Sequence, residues 1–433
     1  MIRIATYLLS CFLLLGLTAC STTDSDEPQP GIIDPGFASY YAYSYCPILI
    51  KRDVLEQSVA SLAPRPMRNT GKIYLQGRYI FVNERFEGIH VIDNQDPAHP
   101  QIVSFLRIPG NIDMAMQDNL LYADNGPDLV TIDMTNPRAV HVTSRVRDAF
   151  RELPMPESLP LLPACAPNQR PANTVVVGWQ KVENKIALSP NNNMDWSRIM
   201  MFNSAPLASA STGSAETAGK AGSLARFAVL GQTLYTVDNQ SLHLFDLADP
   251  TTPKAGPKVE LRFGVETIFP QDHYLFLGTQ LGMYIFDVAQ PQTPVQVAFF
   301  QHIASCDPVV VDGRFAYVTL RSGNTCRRGT NELQVIDLTT LSQPRLARSY
   351  PMTGPQGLGV EGNRLFICDS DGLKTFDTSK APELTPLQQF PVKVHDVIPD
   401  RTTLLAIGAE GLYQYSYDGP VLKQLSLLPI SAN

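Results

Sequence analysis

The chain has 433 residues, 44% hydrophobic and 17% charged, and its 34 basic and 41 acidic side chains give a formal net charge of −7. That apolar content supports a real core and excludes wholesale disorder, while the length allows two or three domains or one large β architecture. Without a Lys/Arg block, nucleic acid and anionic lipid headgroups are poor partners; with only 7 His and 2 Trp, metal clusters and tryptophan-lined cofactor sites are limited.

Chain order begins with an address. Arg3 precedes an apolar run from Tyr7 to Leu17, too short to span a bilayer comfortably, and Leu17-Thr18-Ala19-Cys20 follows at once. This stretch resembles the bacterial lipobox, which implies a lipoprotein signal peptide over 1–19 and acyl chains on Cys20 as the membrane contact. Each acyl CH₂ buried in lipid contributes about 0.8 kcal/mol. The alternatives are an ordinary secretory signal cleaved near Ala19, or an uncleaved anchor. Ser21 in place of Asp implies the outer membrane under the enterobacterial sorting pattern, facing the periplasm or the cell surface. Residues 20–36 read as an acidic flexible tether. Residues 37–66, with Tyr40-Tyr41-Ala42-Tyr43-Ser44-Tyr45 and Ile48-Leu49-Ile50, are too hydrophobic to be solvated and are expected to pack on the main domain or help close it.

From residue 67 to 430 the sequence repeats. Gly88–Asp93, Asp128–Asp133, Ser241–Asp246, Gly282–Asp287, Glu332–Asp337, Gly372–Asp377 and Gly411–Ser416 are alike, and their ends recur at intervals of 40, 113, 41, 50, 40 and 39 residues. Each unit holds an apolar run, a tight turn, a second run, the Asp-ended run, a Pro-marked turn and a fourth run. β-Branched and aromatic residues between Gly, Asp, Asn and Pro turns indicate short antiparallel strands, with no convincing helical period. Four strands repeated seven times predict an all-β fold, a single β-propeller with seven four-stranded blades over 67–430. An eighth unit could hide in the 113-residue interval.

Six units end their third strand in Asp93, Asp133, Asp246, Asp287, Asp337 and Asp377, each followed by a Pro within seven residues. A carboxylate there can accept the backbone N–H two residues on. One copy per repeat argues for turn-capping, since a catalytic group rarely recurs in every unit.

The long interval implies an insertion at about 148–222 in the second blade. Its first part is Pro-rich; Thr174–Trp179 reads as a strand, expected on the outer edge of blade two; Ser204–Ser223 is rich in small residues and expected to be mobile. Long loops on rigid scaffolds often carry recognition. An ornamental loop is the alternative.

GIHVID, LVTID, LHLFD, MYIFD and LQVID, each before a Pro turn, resemble the LVIVD-repeat β-propeller lipoproteins of bacteria. The resemblance covers about 67–430, with Cys306–Cys326 followed by LQVIDL as its most specific stretch, and Ser416 departs from the pattern. It implies fold and location, and offers no mechanism.

Once Cys11 and Cys20 are set aside, five thiols remain in what should be an oxidising compartment. Cys306 and Cys326 flank one hairpin and are the favoured disulfide; Cys46 and Cys165 could pair as well; Cys368, inside a strand, reads as a buried free thiol. Closely spaced Cys/His ligands are absent, so no metal and no cofactor is expected. Asp369-Ser370-Asp371-Gly372 reads as a tight turn. Registering the units on their first hairpin puts Asn111, Arg226, Glu266, Asp307, Gln356, His395 and Asp396 at the channel mouth, where they could bind a polar ligand or solvate the channel and pair with one another. No catalytic residue is assigned. The expected function is a lipid-anchored envelope module that binds or scaffolds a protein or glycan partner. The alternative is an envelope hydrolase or lyase on polysaccharide, with Glu266 and His395-Asp396 at the mouth.

Overall fold

The computed structural model describes residues 43–155, 160–183, 219–262, 264–302, 308–322, 330–419 and 421–431. Seven blades of four antiparallel strands follow one another along 70–107, 114–146, 227–260, 265–301, 309–351, 358–390 and 394–429, each strand paired with its neighbour in sequence, and the sheet of the first blade gains two further strands. Their innermost strands adjoin in turn, from blade one round to blade seven and back to blade one. The fold is therefore a seven-bladed β-propeller.

The pattern of apolar residues explains the packing. Third strands such as Gly282–Asp287 are buried until their final Asp, because both faces of an inner blade region meet neighbouring blades. Outer strands such as Lys254–Glu260 are exposed almost throughout. Apolar layers then lie between blades, for example Ile285, Val310, Tyr317 and Leu365 from blades four to six. In all seven blades the pairing of third and outer strands is interrupted by a register shift. Such bulges twist an exposed edge away from further pairing.

No blade is shared between the two ends of the chain, so blades seven and one must be sealed by packing. Met67, fully buried, lies among Ile73, Val82, Ile398, Leu405 and Leu412. It also bridges Ile430 in parallel, with Ser431 N–H donating to Met67 O at 2.8 Å. Gln414 Nε2 donates to Asn94 Oδ1 at 2.7 Å across the same seam.

The repeated Asp residues perform the capping expected of them. Oδ1 of Asp93, Asp133, Asp246, Asp287, Asp337 and Asp377 accepts the N–H two residues on, at 2.7–3.1 Å. In blade seven Ser416 Oγ instead donates to Asp418 Oδ1 at 2.5 Å.

Two expectations about the insertion need correction. Thr174–Glu183 is not the outer strand of blade two; that place belongs to His141–Val146. It pairs instead with the N-terminal strand Tyr43–Lys51 as a separate ribbon. Apolar residues on both strands satisfy each other, a pairing between segments more than a hundred residues apart that local pattern does not reveal. The small-residue stretch is also ordered at its end. Lys220 and Ala221 pair with Leu75 and Tyr74 on the inner edge of blade one, and Ser223 is fully buried. The remainder of that stretch, 204–218, lies outside the described residues, as do the signal and tether over 1–36, with Cys20.

The described part of the N-terminal segment also reaches blade one. Ala60–Leu62 adds a strand to the outer edge of blade one, after a short helix Arg52–Glu56.

Candidate functional site

Innermost strands all begin on one rim of the ring, and this is where the insertion settles. The ribbon packs closely on blades one and two. A Cβ on Gly110 would stand 2.7 Å from Gly126 N and 3.3 Å from Val177 Cα, so glycine is needed where the rim and ribbon meet. Two ties hold the ribbon to its neighbouring loop, and a third fixes it to blade two. Tyr45 N–H donates to Pro160 O and accepts Leu162 N–H on its carbonyl, both at 2.9 Å. Cys46 is bonded to Cys165, with Cα atoms 5.4 Å apart. Arg52 Nη1 reaches the buried carboxylate of Asp128 at 2.6 Å, which also accepts Arg145 Nη1 at 2.8 Å. The Cys46–Cys165 pair thus forms, while Cys306 and Cys326, the favoured pair, lie outside the described residues. Cys368 is free and buried, and burial raises its thiol pKa.

Between this roof and blades two to four lies a cavity of about 430 Å³. Phe150, Leu153, Met155, Leu161, Trp179 and Phe227 form its apolar walls. Trp179 Nε1 donates to Leu153 O at 3.1 Å, and Phe150 meets Phe227 with ring centroids 5.4 Å apart. Polar groups converge from the rim: Asp113, Asp124, Arg226 and Glu266, with Arg151, Glu152 and Arg170 from the roof.

Beneath the cavity is a buried polar cluster. Asp113 pairs with Lys72 and accepts the Arg226 backbone N–H and, at 2.7 Å, Met114 N–H. Asp124 Oδ1 accepts Asn111 Nδ2 at 2.7 Å, Ile112 N–H at 2.8 Å and Asp113 N–H at 3.0 Å. Burial pushes the Asp124 carboxyl up to about 7, aided by the Asp113 charge. Burial lowers Lys72 to about 8 against the pull of Asp113. Asp396, fully buried on blade seven, is raised well above the usual carboxylate range by burial. Its Oδ1 accepts Ser223 Oγ at 3.0 Å, and Ser223 Oγ accepts Leu358 N–H at 2.6 Å.

Ser223 belongs to the returning end of the insertion, which runs through the middle of the ring. Gly222 N–H donates to Ile73 O at 3.0 Å, and a Cβ there would stand 2.8 Å from Asp396 Cγ. Farther along, Lys220 Nζ pairs with Asp400 at 2.9 Å and Glu361 at 3.2 Å, where the innermost strands of blades six and seven end. The described part of the insertion therefore lies over the rim at blades one to four and threads the middle of the ring with residues 219–223.

Of the residues predicted at the mouth, Asn111, Arg226, Glu266, His395 and Asp396 lie on this rim, and only Arg226 and Glu266 line the cavity. Asn111 is spent on internal hydrogen bonds, and Asp396 uses Oδ1 in this way while its Oδ2 is buried with no hydrogen-bond partner among the described residues. His395 is lowered by burial and places Nε2 3.5 Å from Gly71 O. Gln356 sits at the same end of blade six, where its backbone N–H donates to Cys368 O at 2.7 Å. Asp307 lies outside the described residues. Lys72, Asp113, Asp124, Arg170 and Trp179 were not foreseen. Only the spacing of Asp113 and Asp124 around the first hairpin of blade two hinted at two of them. Among the described residues no three His, Cys, Asp or Glu side chains are grouped as metal ligands would be.

Neither a family model nor a curated protein matches the chain. Solved propeller structures do. The periplasmic gluconolactonase PpgL of Pseudomonas aeruginosa is similar over 86% of this chain and 97% of its own, at 12% identity and a TM-score of 0.51. BamB from Moraxella catarrhalis matches 86% of this chain and 96% of its own, at 10% identity and a TM-score of 0.46. At 12% identity the likeness to the gluconolactonase speaks for the propeller fold alone.

Proposed function

We propose that the protein is a lipid-anchored binding module of the bacterial envelope, akin to the LVIVD-repeat lipoproteins, whose recognition site is the roofed cavity on blades two to four. The carrying observation is the roof itself. A disulfide, an Arg52 ion pair to the buried Asp128 carboxylate and a two-stranded ribbon fix a segment foreign to the repeat over the rim, leaving an apolar cavity with converging polar groups. An ornamental loop has no need of such ties. The address rests on Arg3, the short apolar run and Leu17-Thr18-Ala19-Cys20. PpgL, whose printed name places it in the periplasm, has a similar fold.

Photo-cross-linking in intact cells tests the site. A benzophenone side chain at Met155, in the cavity wall, is compared with one at Asn363, on a hairpin at the opposite face. A defined adduct from position 155 with none from 363 supports the reading. No adduct, or the same adducts from both, defeats it. The anchor is tested apart: Cys20→Ser should move the protein from the membrane to the soluble fraction.

A further inference from the structure

The cavity's own charges indicate what it takes, if it is the recognition site proposed above. Five acidic residues line it, and each is engaged by its surroundings. Asp113 has Lys72 and two backbone N–H groups; Asp124 has three donors. Glu152 accepts Arg170 Nη1 at 2.5 Å, Asp238 accepts His243 Nε2 at 3.0 Å and Gln240 N–H at 2.8 Å, and Glu266 accepts Gln280 Nε2 at 2.8 Å. Two of the three arginines are engaged as well, Arg170 by Glu152 and Arg151 by Gln240 Oε1 at 2.7 Å.

Arg226 differs. Its bond to Asp113 comes from the backbone, and its side-chain Nε is buried with no hydrogen-bond acceptor among the described residues. Lys72 and Arg85 add like charge beside it. Arg170 Nε is buried without an acceptor too, but the Arg170 guanidinium has the Glu152 carboxylate, whereas no carboxylate of the described residues pairs with the Arg226 side chain. The same cavity is lined by Phe150, Leu153, Leu161, Trp179 and Phe227, which suit an apolar body.

We propose that the cavity binds a small apolar monocarboxylate, its carboxylate on Arg226 and its aromatic or aliphatic part against Phe150 and Trp179. Two parallel N–H donors match the two oxygens of a carboxylate. The five acidic residues in the wall oppose a phosphate dianion, and the volume of about 430 Å³ admits a compact molecule with room for ordered water.

Isothermal titration of the full chain with 4-phenylbutyrate, 4-phenyl-1-butanol and phenyl phosphate provides the test. The carboxylate should bind roughly tenfold or more tightly than the alcohol, a difference abolished in Arg226→Gln, while the alcohol binds both proteins alike. Phenyl phosphate should bind more weakly than the carboxylate. No binding of 4-phenylbutyrate, equal binding of acid and alcohol, stronger binding of the phosphate, or an unaltered preference in Arg226→Gln would each overturn the assignment. If Arg226→Gln fails to fold, the comparison of ligands on the unaltered protein decides alone. A cross-link at position 155 without carboxylate binding would leave the recognition site standing and remove only this ligand class.

Discussion

The two faces of the ring are built by opposite rules. On one face every blade does the same thing. Gly77, Asp118, Gly231, Asp272, Gly313, Gly362 and Arg401 occupy the same place in the seven inner hairpins, all with φ between 51° and 59°. The Asp caps recur there six times with one hydrogen bond. On the other face the blades diverge, and the groups that matter occur once: Asp124, Arg226, Trp179, Asp396. Repetition marks what the fold requires of every blade. Departure from repetition marks where this particular chain does something of its own.

The sharpest way to separate the faces is to loosen the roof. Replacing Cys46 and Cys165 together by Ala opens a link between positions 119 residues apart, worth roughly 5 kcal/mol in the loop-entropy model. Proteolysis should then cut within 147–183 while the blades persist; equal loss of all blades would mean that the roof and ring are one unit. Next comes the channel. Gly222→Val would press a branched side chain on Asp396 and Ile73, and we expect a cost of about 3 kcal/mol by urea unfolding.

The polar cluster should betray itself through pH. Asp124 binds its proton more tightly folded than unfolded, so between its ordinary 3.8 and about 7 the native state carries the extra proton. Stability from this group is therefore fully present below pH 3.8 and lost as pH rises through 7. Asp124→Asn keeps an acceptor for the same three donors. Relative to this variant, the unaltered protein should lose on the order of 2 kcal/mol between pH 5 and pH 8. A constant difference across that range would contradict the raised carboxyl.

Smaller effects belong to the repeated face. Asp287→Ala removes one acceptor at a turn and should cost about 1 kcal/mol by thermal unfolding. Asp272→Gly should stabilise by about 0.5–1 kcal/mol, because an exposed L residue at φ 53° gives way to one without a Cβ penalty. The same sign is expected at any of the seven hairpins where a non-glycine stands.

Much of the repeated face was legible in the sequence. Blade number, strand order, the capping role of the Asp residues and the buried thiol at Cys368 all follow from local pattern, since each depends on residues a few positions apart. The roof was far less legible. Thr174–Glu183 reads as a strand, but nothing local says that its partner is Tyr43–Lys51. Cys46–Cys165 could be considered only as one pairing among others, because it depends on that ribbon. Gly219–Ser223 looks like a linker by composition. Its small residues in fact let the backbone pass through a crowded ring. Trp179 and Asp124 escaped notice because their role arises where three distant segments meet.

The most direct measurement is amide hydrogen exchange on the full chain, before and after incubation with a detergent extract of the envelope. Protection gained at 150–155, 160–170 and 226–240, with the hairpins at 76–79, 312–315 and 361–364 unchanged, is the predicted result. Protection gained on those hairpins, or nowhere, would contradict a recognition site beneath the roof.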